Sequence, residues 1–262
     1  MAKILNKYKL TDSTYELRIE APEIAKKSKP GMFLIIRIDK HGERIPLSIA
    51  DWDNDSVTIV VTIAGDTTKQ LCSMDEGDSI LDVAGPLGNP ADIQMFGTVV
   101  LIGGGCATAP IYSEAKAYRE AGNKIIIIMG ARSSNLLVWE NQMRKVSDEL
   151  IITTDDGTKG QKGFVTDTLK DIMAREKIGL VVAIGPVIMM KFVSLTTKDA
   201  EIKTIVSLNP IMVDGIGMCG ACRVSVANKN KFSCVDGPEF DGHEVDWDNL
   251  IARNKCYDGC CK

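Results

Sequence analysis

The sequence has no apolar run able to cross a bilayer. Its longest, Thr98 to Tyr112, is broken by Gly103, Gly104, Gly105 and Pro110, and a spanning helix needs about 20 apolar residues. It has no basic excess either. Lysine and arginine number 31 against 35 aspartates and glutamates, a net charge of −4. That balance gives a nucleic-acid backbone no electrostatic reason to bind. The opening stretch from Met1 to Lys9 lacks the apolar core, about 7–15 residues long, of a secretory signal. The expectation is a cytoplasmic protein without membrane insertion. Internal repeats and low-complexity tracts are also missing.

What is present is an ordinary globular composition, 45% apolar and 25% charged over 262 residues. That length suits two domains and a small appendage. Eight cysteines stand out. In a cytoplasmic chain they point to metal or redox chemistry before disulfides. Six of them lie between Cys219 and Cys261, a concentration that uniform use as core residues would not produce.

The first part reads as short strands. Tyr15, Leu17 and Ile19 alternate with polar neighbours, Met32–Ile38 is an apolar run opened by Pro30-Gly31, and Ser56–Ala64 and Ser79–Ala84 follow. Such strands predict a small antiparallel barrel over residues 1–96. From Thr98 the pattern changes. Apolar strands at Thr98–Ile102, Lys124–Met129, Glu149–Thr153, Leu180–Ile184 and Ile202–Val206 alternate with helical segments. This predicts a doubly wound parallel sheet over residues 97–207. Over residues 208–262 periodicity fades, and loops and cysteines are expected to dominate.

Asp214, Cys219, Cys222 and Cys234 have the spacing D-x4-C-x2-C-x11-C. A plant-type [2Fe–2S] site has C-x4-C-x2-C and a later Cys, so an Asp stands at the first ligand position. Gly215, Gly217 and Gly220 suit a loop wrapped closely around a cluster. Half of a zinc site, a redox dithiol and small apolar core residues are the competing readings. Asp214 is either a ligand or a turn residue beside Gly215. In the latter case Cys256, Cys260 or Cys261 supplies the fourth thiolate. The tail C-Y-D-G-C-C-K has no assigned mechanism.

Two anion-binding patterns precede the cysteines. Arg44 and Ser48 share a strand face in R-I-P-L-S, where a guanidinium and a hydroxyl can hold a pyrophosphate. Solvated surface residues are the plainer reading. Gly65-Asp66-Thr67-Thr68 opens a short helix and suits either an anion or an N-cap. The Gly103–Gly105 loop then lies between a strand and a helix, the setting of a dinucleotide-binding turn, although it departs from a strict G-x-G-x-x-G and a plain tight strand-to-helix turn is the competing reading. Gly185-Pro186 ends a later strand, so either Gly185, Pro186 and Met189 border a nicotinamide or Met189 belongs to a buried methionine stripe. Arg132 and Ser133 follow the second strand, where a 2′-phosphate or the start of a helix would find them.

Taken together the motifs P-G-M-F, R-I-P-L-S, G-D-T-T, G-P-L-G, G-G-G, T-D-D-G, I-G-P and the cysteine loop resemble the ferredoxin–NADP reductase superfamily over essentially the whole chain. Within it they resemble the group that holds the electron-transfer subunits of dihydroorotate dehydrogenase and the small subunits of NADH-dependent ferredoxin:NADP oxidoreductases. Asp214 and the stretch from Cys234 to His243 are similar to the latter type. The resemblance implies FAD at Arg44, Pro46, Leu47 and Ser48, with Thr62, Gly65, Thr67 and Thr68 nearby. It implies NAD(H) or NADP(H) at Gly104, Gly105, Thr108, Ala109, Asp156, Gly185 and Pro186, and a [2Fe–2S] cluster on Asp214, Cys219, Cys222 and Cys234. No side chain is implied as acid, base or nucleophile. A larger flavin and iron–sulfur subunit, with ferredoxin reached through it and electron bifurcation performed there, is the implied partner. Another reductase partner, for dihydroorotate or a sulfur compound, is the enzymatic alternative, and a zinc-bearing binding module is the non-enzymatic one. Two features depart from the pattern: Ala107 stands where relatives often carry Gly, and the cysteine-rich tail is extra.

Overall fold

The structure, a computed structural model, describes residues 1–258, with side chains as far as Asn254. Cys260 and Cys261, and the Cys256 side chain, lie outside the described residues.

The N-terminal part contains β1 (Ala2–Lys9), β2 (Thr14–Glu20), α1 (Pro22–Ala25), β3 (Phe33–Arg37), β4 (Ile45–Ser48), β5 (Asp51–Trp52), β6 (Ser56–Thr62), α2 (Asp66–Ser73), β7 (Ser79–Ile80) and β8 (Asp82–Leu87). Its strands form two antiparallel sheets, β5-β6-β2-β1-β7 and β4-β3-β8. Alternation along β2 turns Leu17 and Ile19 inward, opposite Ile59 and Val57 of β6. These four residues, with Leu34, Ile36 and Ile49, fill the barrel core. The Ser79–Ala84 run is divided between β7 and β8 rather than being one strand.

The middle part contains β9 (Thr98–Gly104), α3 (Thr108–Glu120), β10 (Lys124–Ala131), α4 (Glu140–Val146), β11 (Glu149–Thr154), β12 (Gln161–Lys162), α5 (Val165–Arg175), β13 (Ile178–Ile184), α6 (Val187–Lys198) and β14 (Thr204–Ser207). Parallel pairing in the order β12-β11-β10-β9-β13-β14 puts the reversal of direction at β9. Its strands are buried on both faces, which is why they read as unbroken apolar runs.

The C-terminal part is more regular than its sequence suggests. β15 (Arg223–Val226) and β16 (Lys229–Phe232) form a hairpin, followed by α7 (Ser233–Asp236), β17 (Glu239–Asp241) and α8 (Trp247–Asp258). The hairpin turns at Ala227 and Asn228, with φ of 50° and 59°. β17 adds to the parallel sheet as an antiparallel edge strand beside β14. Val224, Val226, Phe240, Trp247 and Leu250 join the same core as Val181 and Val193. The C-terminal part is thus anchored to the parallel sheet through β17 and this shared core, while β15 and β16 form a two-stranded sheet of their own. Among the described residues no helix is long and apolar enough to cross a membrane.

Candidate functional site

β3 explains how the parts of the site come together. All four residues from Phe33 to Ile36 are buried, but for different reasons on alternate positions. Leu34 and Ile36 face the barrel core. Phe33 and Ile35 face outward and pack with Met212, Cys222 and Cys234. The loop that begins at residue 214 lies directly on this face: a Cβ on Gly215 would stand 2.9 Å from both Ile35 Cγ1 and Leu87 Cδ1.

Within that loop, Cys222 and Cys234 are each 2% exposed and their sulfurs are 3.2 Å apart. The Gly217 N–H donates to Cys234 Sγ at 3.2 Å. Gly215, Gly217 and Gly220 have φ of 74°, 80° and 68°, a region open to glycine and costly to other residues. Burial pushes the Cys234 thiol up to about 12, with the neighbouring Cys222 adding to it. Cys219 is exposed. Asp214 is turned into its own loop, where its Oδ2 accepts the Cys219 N–H at 2.7 Å and its Oδ1 the Ile216 N–H at 3.2 Å. Desolvation pushes its carboxyl up, but these hydrogen bonds outweigh it and leave the group below its ordinary value.

The structure therefore joins Cys222 with Cys234, and Asp214 with the Cys219 backbone. Among the described residues it does not gather three or more His, Cys, Asp or Glu side chains into one metal-holding set. The donor chemistry still fits an iron–sulfur cluster. It offers thiols, a backbone N–H already aimed at sulfur, and a glycine-shaped loop.

A cleft of about 420 Å³ runs between the barrel and the parallel sheet. Pro46, Leu47, Ser48, Thr62 and Thr68 line it, as do Gly104, Gly185 and Pro186. Arg44, Gly65 and Thr67 do not. Arg44 immediately precedes β4, is exposed, and has no carboxylate partner among the described residues. Thr68 caps α2: its hydroxyl accepts the Ala64 and Gly65 N–H groups at 2.8 and 3.0 Å. Thr67 donates to Glu43 at 2.9 Å. Phe33, Cys106, Asn209 and Met212 also line this cleft. Sequence reasoning missed them because they come from three separate segments with no shared spacing.

A second cleft, about 770 Å³, opens at the carboxyl ends of β9, β10 and β11, where open α/β sheets bind ligands. Gly104, Gly105, Pro186 and Met189 line it, with Arg132, Asp155, Phe164 and Phe192. Four of the expected nucleotide residues lie elsewhere: Gly185 borders only the first cleft, and the other three border neither. Thr108 and Ala109 are both 0% exposed and border neither cleft; Thr108 instead ties the turn together, its hydroxyl donating to the Gly105 carbonyl at 2.8 Å. Asp156 is not in the lining of either cleft and is held in a turn, accepting the Thr158 hydroxyl at 2.6 Å and N–H at 2.9 Å. Those bonds hold its carboxyl below the ordinary range. Gly104 and Pro186 are common to both clefts, so a ring in one can approach a ring in the other there.

Such a barrel, nucleotide sheet and thiol loop define an electron-transfer oxidoreductase subunit of the ferredoxin-reductase type. Residues 101–195 match the oxidoreductase NAD-binding domain, and residues 209–246 match the iron–sulfur cluster binding domain of dihydroorotate dehydrogenase B. The chain belongs to the family of the dihydroorotate dehydrogenase B electron transfer subunits and their homologues. A homologue of that subunit from Thermotoga maritima is 47% identical, covering 96% of this chain and 89% of its own. The electron transfer subunit from Fusobacterium nucleatum is 34% identical, covering 90% and 94%. A chain of the NADH-dependent reduced ferredoxin-NADP oxidoreductase structure, solved for insight into flavin-based electron bifurcation, is 44% identical with a TM-score of 0.92. The match covers 100% of this chain and 98% of that one. Phthalate dioxygenase reductase shares the fold, at 16% identity and a TM-score of 0.64, over 86% of this chain and 85% of that one.

Proposed function

We propose that this chain is the FAD and [2Fe–2S] subunit of an NADH-dependent ferredoxin:NADP oxidoreductase. In this reading it passes electrons between NAD(H), FAD and the cluster to a larger flavin and iron–sulfur subunit in a cytoplasmic complex, with ferredoxin served through that partner. The observation that carries this reading is the double role of Phe33 and Met212. Both line the first cleft, and both pack against Cys222 and Cys234. The cleft and the thiol loop therefore share these two side chains in their packing.

A bound flavin supplies the exchange between two-electron hydride transfer and one-electron steps. The chain's own residues bind and position. Pro46, Leu47 and Ser48 form one wall of the flavin cleft, and Arg44 at its edge offers a guanidinium for the pyrophosphate. Gly104, Gly105 and Arg132 receive the nucleotide. Gly104 and Pro186 keep the junction narrow and exclude water from it. Asp214, Cys219, Cys222 and Cys234 hold the cluster. The corresponding parts are a flavin part over residues 1–96, a nucleotide part over 97–207 and a cluster part over 208–262.

Anaerobic purification followed by iron, sulfide and flavin analysis tests this. Stoichiometric FAD and a [2Fe–2S] signal that disappears or changes on reduction with NADH are expected. A colourless protein with stoichiometric zinc would overturn the redox reading. Asp214 and the 44% identical solved chain favour the ferredoxin-NADP assignment. The names of the curated relatives favour the second reading, a subunit for a dihydroorotate-oxidising partner. Co-purification with such a partner would establish that reading instead.

A further inference from the structure

Three stretches of the chain meet at two carboxyl groups. Glu114, in the middle of α3, is 0% exposed, and among the described residues neither of its oxygens has a hydrogen-bond partner. Glu239 opens β17, and its Oε1 is also buried without a hydrogen-bond partner among the described residues. The two carboxyls lie within hydrogen-bonding reach of each other. On the barrel side the space is closed by backbone: a Cβ on Gly31 would come within 2.9 Å of Glu239 Oε1 and 3.0 Å of the Ala91 nitrogen.

The surroundings supply no positive charge to this pair. Among the described residues no lysine, arginine or histidine pairs with Glu114 or Glu239. Asp92, from the loop before β9, adds a negative charge, and Lys203 lies 3.7 Å from that carboxylate. Tyr118, one turn along α3, is buried and donates to the Asp92 carbonyl at 3.4 Å. Asp241, two residues along β17, is exposed and occupied by the His243 N–H at 2.9 Å. Two adjoining carboxylates, buried with no cationic side chain paired to either among the described residues, cannot both stay ionised. A proton between them supplies the donor that the partnerless oxygens lack.

We propose that Glu114 and Glu239 form a proton-binding site, in which the Glu114 acid donates to the Glu239 carboxylate and so fastens β17, with the cysteine-bearing segment, to α3 and the barrel. Burial, followed by the charge of Glu239, raises Glu114. Burial, followed by Asp92 among the groups that raise it, brings Glu239 to about 7. The sign follows. Opening the seam returns both groups to ordinary carboxyl values near about 4.5, so opening at neutral pH releases a proton to solvent. The closed seam is fully favoured below that ordinary value and loses its advantage as pH rises through the raised ones.

Hydrogen exchange of the holoprotein, followed by mass spectrometry from pH 6 to pH 8.5, reads this directly. Once corrected for the intrinsic exchange rate, the protection of β17 should fall by about tenfold per pH unit above the raised value of Glu239, and more steeply below it. In the double variant E114Q/E239Q, where an amide donates in place of the acid, that slope should vanish. The wild-type infrared spectrum at neutral pH should contain a protonated-carboxyl band that the variant lacks. If the double variant does not fold, the wild-type slope and the titration of that band still decide. A flat wild-type profile, an equal slope in the variant, or no protonated-carboxyl band at neutral pH would overturn the proposal. None of these outcomes depends on which partner subunit the chain serves.

Discussion

Gly104 and Pro186 approach each other so closely that a Cβ on Gly104 would lie 2.7 Å from Pro186 Cδ and 2.9 Å from Met189 Sδ. This contact sits where the two clefts meet. Gly104→Ala should therefore force the β9 and β13 ends apart while leaving each cleft able to bind. The expected outcome is normal FAD content and a flavin reduction rate by NADH lowered by about 10- to 100-fold, the scale of an ångström-sized misplacement. Stopped-flow reduction measures this, and an unchanged rate would remove the junction from the mechanism.

Asp214 is held by the loop that it organises. Asp214→Cys replaces a hard oxygen with a soft thiolate at the first position of the spacing. The cluster should persist with an altered potential and EPR spectrum. An unaltered spectrum would leave Asp214 as a turn residue only. Cys222→Ser should be more severe, because Cys222 is buried against both Cys234 and Phe33. Loss of iron with retention of FAD is expected there.

Arg44 immediately precedes Ile45, which lines the first cleft, and it is exposed with no carboxylate partner among the described residues. A charge-assisted bond to a pyrophosphate contributes about 1.5–3 kcal/mol, so Arg44→Ala should weaken FAD binding by about 10- to 150-fold. Arg44→Lys should recover part of that loss. Flavin-fluorescence titration of the stripped protein gives both numbers. Equal affinity in all three proteins would assign the pyrophosphate to other residues.

Several features of this architecture are legible in the sequence, and the exceptions have physical reasons. Leu17 and Ile19 alternate because β2 has one face in the core, and the β9 and β10 runs are continuous because both faces are covered. The run from Phe33 to Ile36 predicts a strand but not that its outer face receives the thiol loop. That contact joins residues about 180 apart in sequence, and no local pattern encodes it. β16 was invisible because Lys229-Asn230-Lys231 is polar, and its turn is Ala227-Asn228 rather than a glycine-bearing pair. β17 is three residues long and owes its strand geometry to β14. Thr108 and Ala109 belong to the nucleotide motif by position, yet helix geometry turns both into the core. Glu114 gave no signal at all, since a single acid in an amphipathic helix ordinarily faces solvent.

Trp139 ties the nucleotide sheet to the barrel. Its indole Nε1–H donates to Glu16 Oε2 at 2.7 Å, and its ring meets Tyr112 edge-on with centroids 5.5 Å apart. Trp139→Phe keeps much of the aromatic packing but removes the donor, leaving a partly buried carboxylate unpaired. That loss should cost about 1–3 kcal/mol. In a chain of this size each kcal/mol lowers the unfolding midpoint by about 2–4 °C. Glu16→Gln keeps an acceptor for the indole and should cost much less. Thermal unfolding of the holoprotein, read by flavin release, distinguishes the two variants. If Trp139→Phe and Glu16→Gln melted together at the wild-type temperature, the indole bond would contribute nothing to holding barrel and sheet in register.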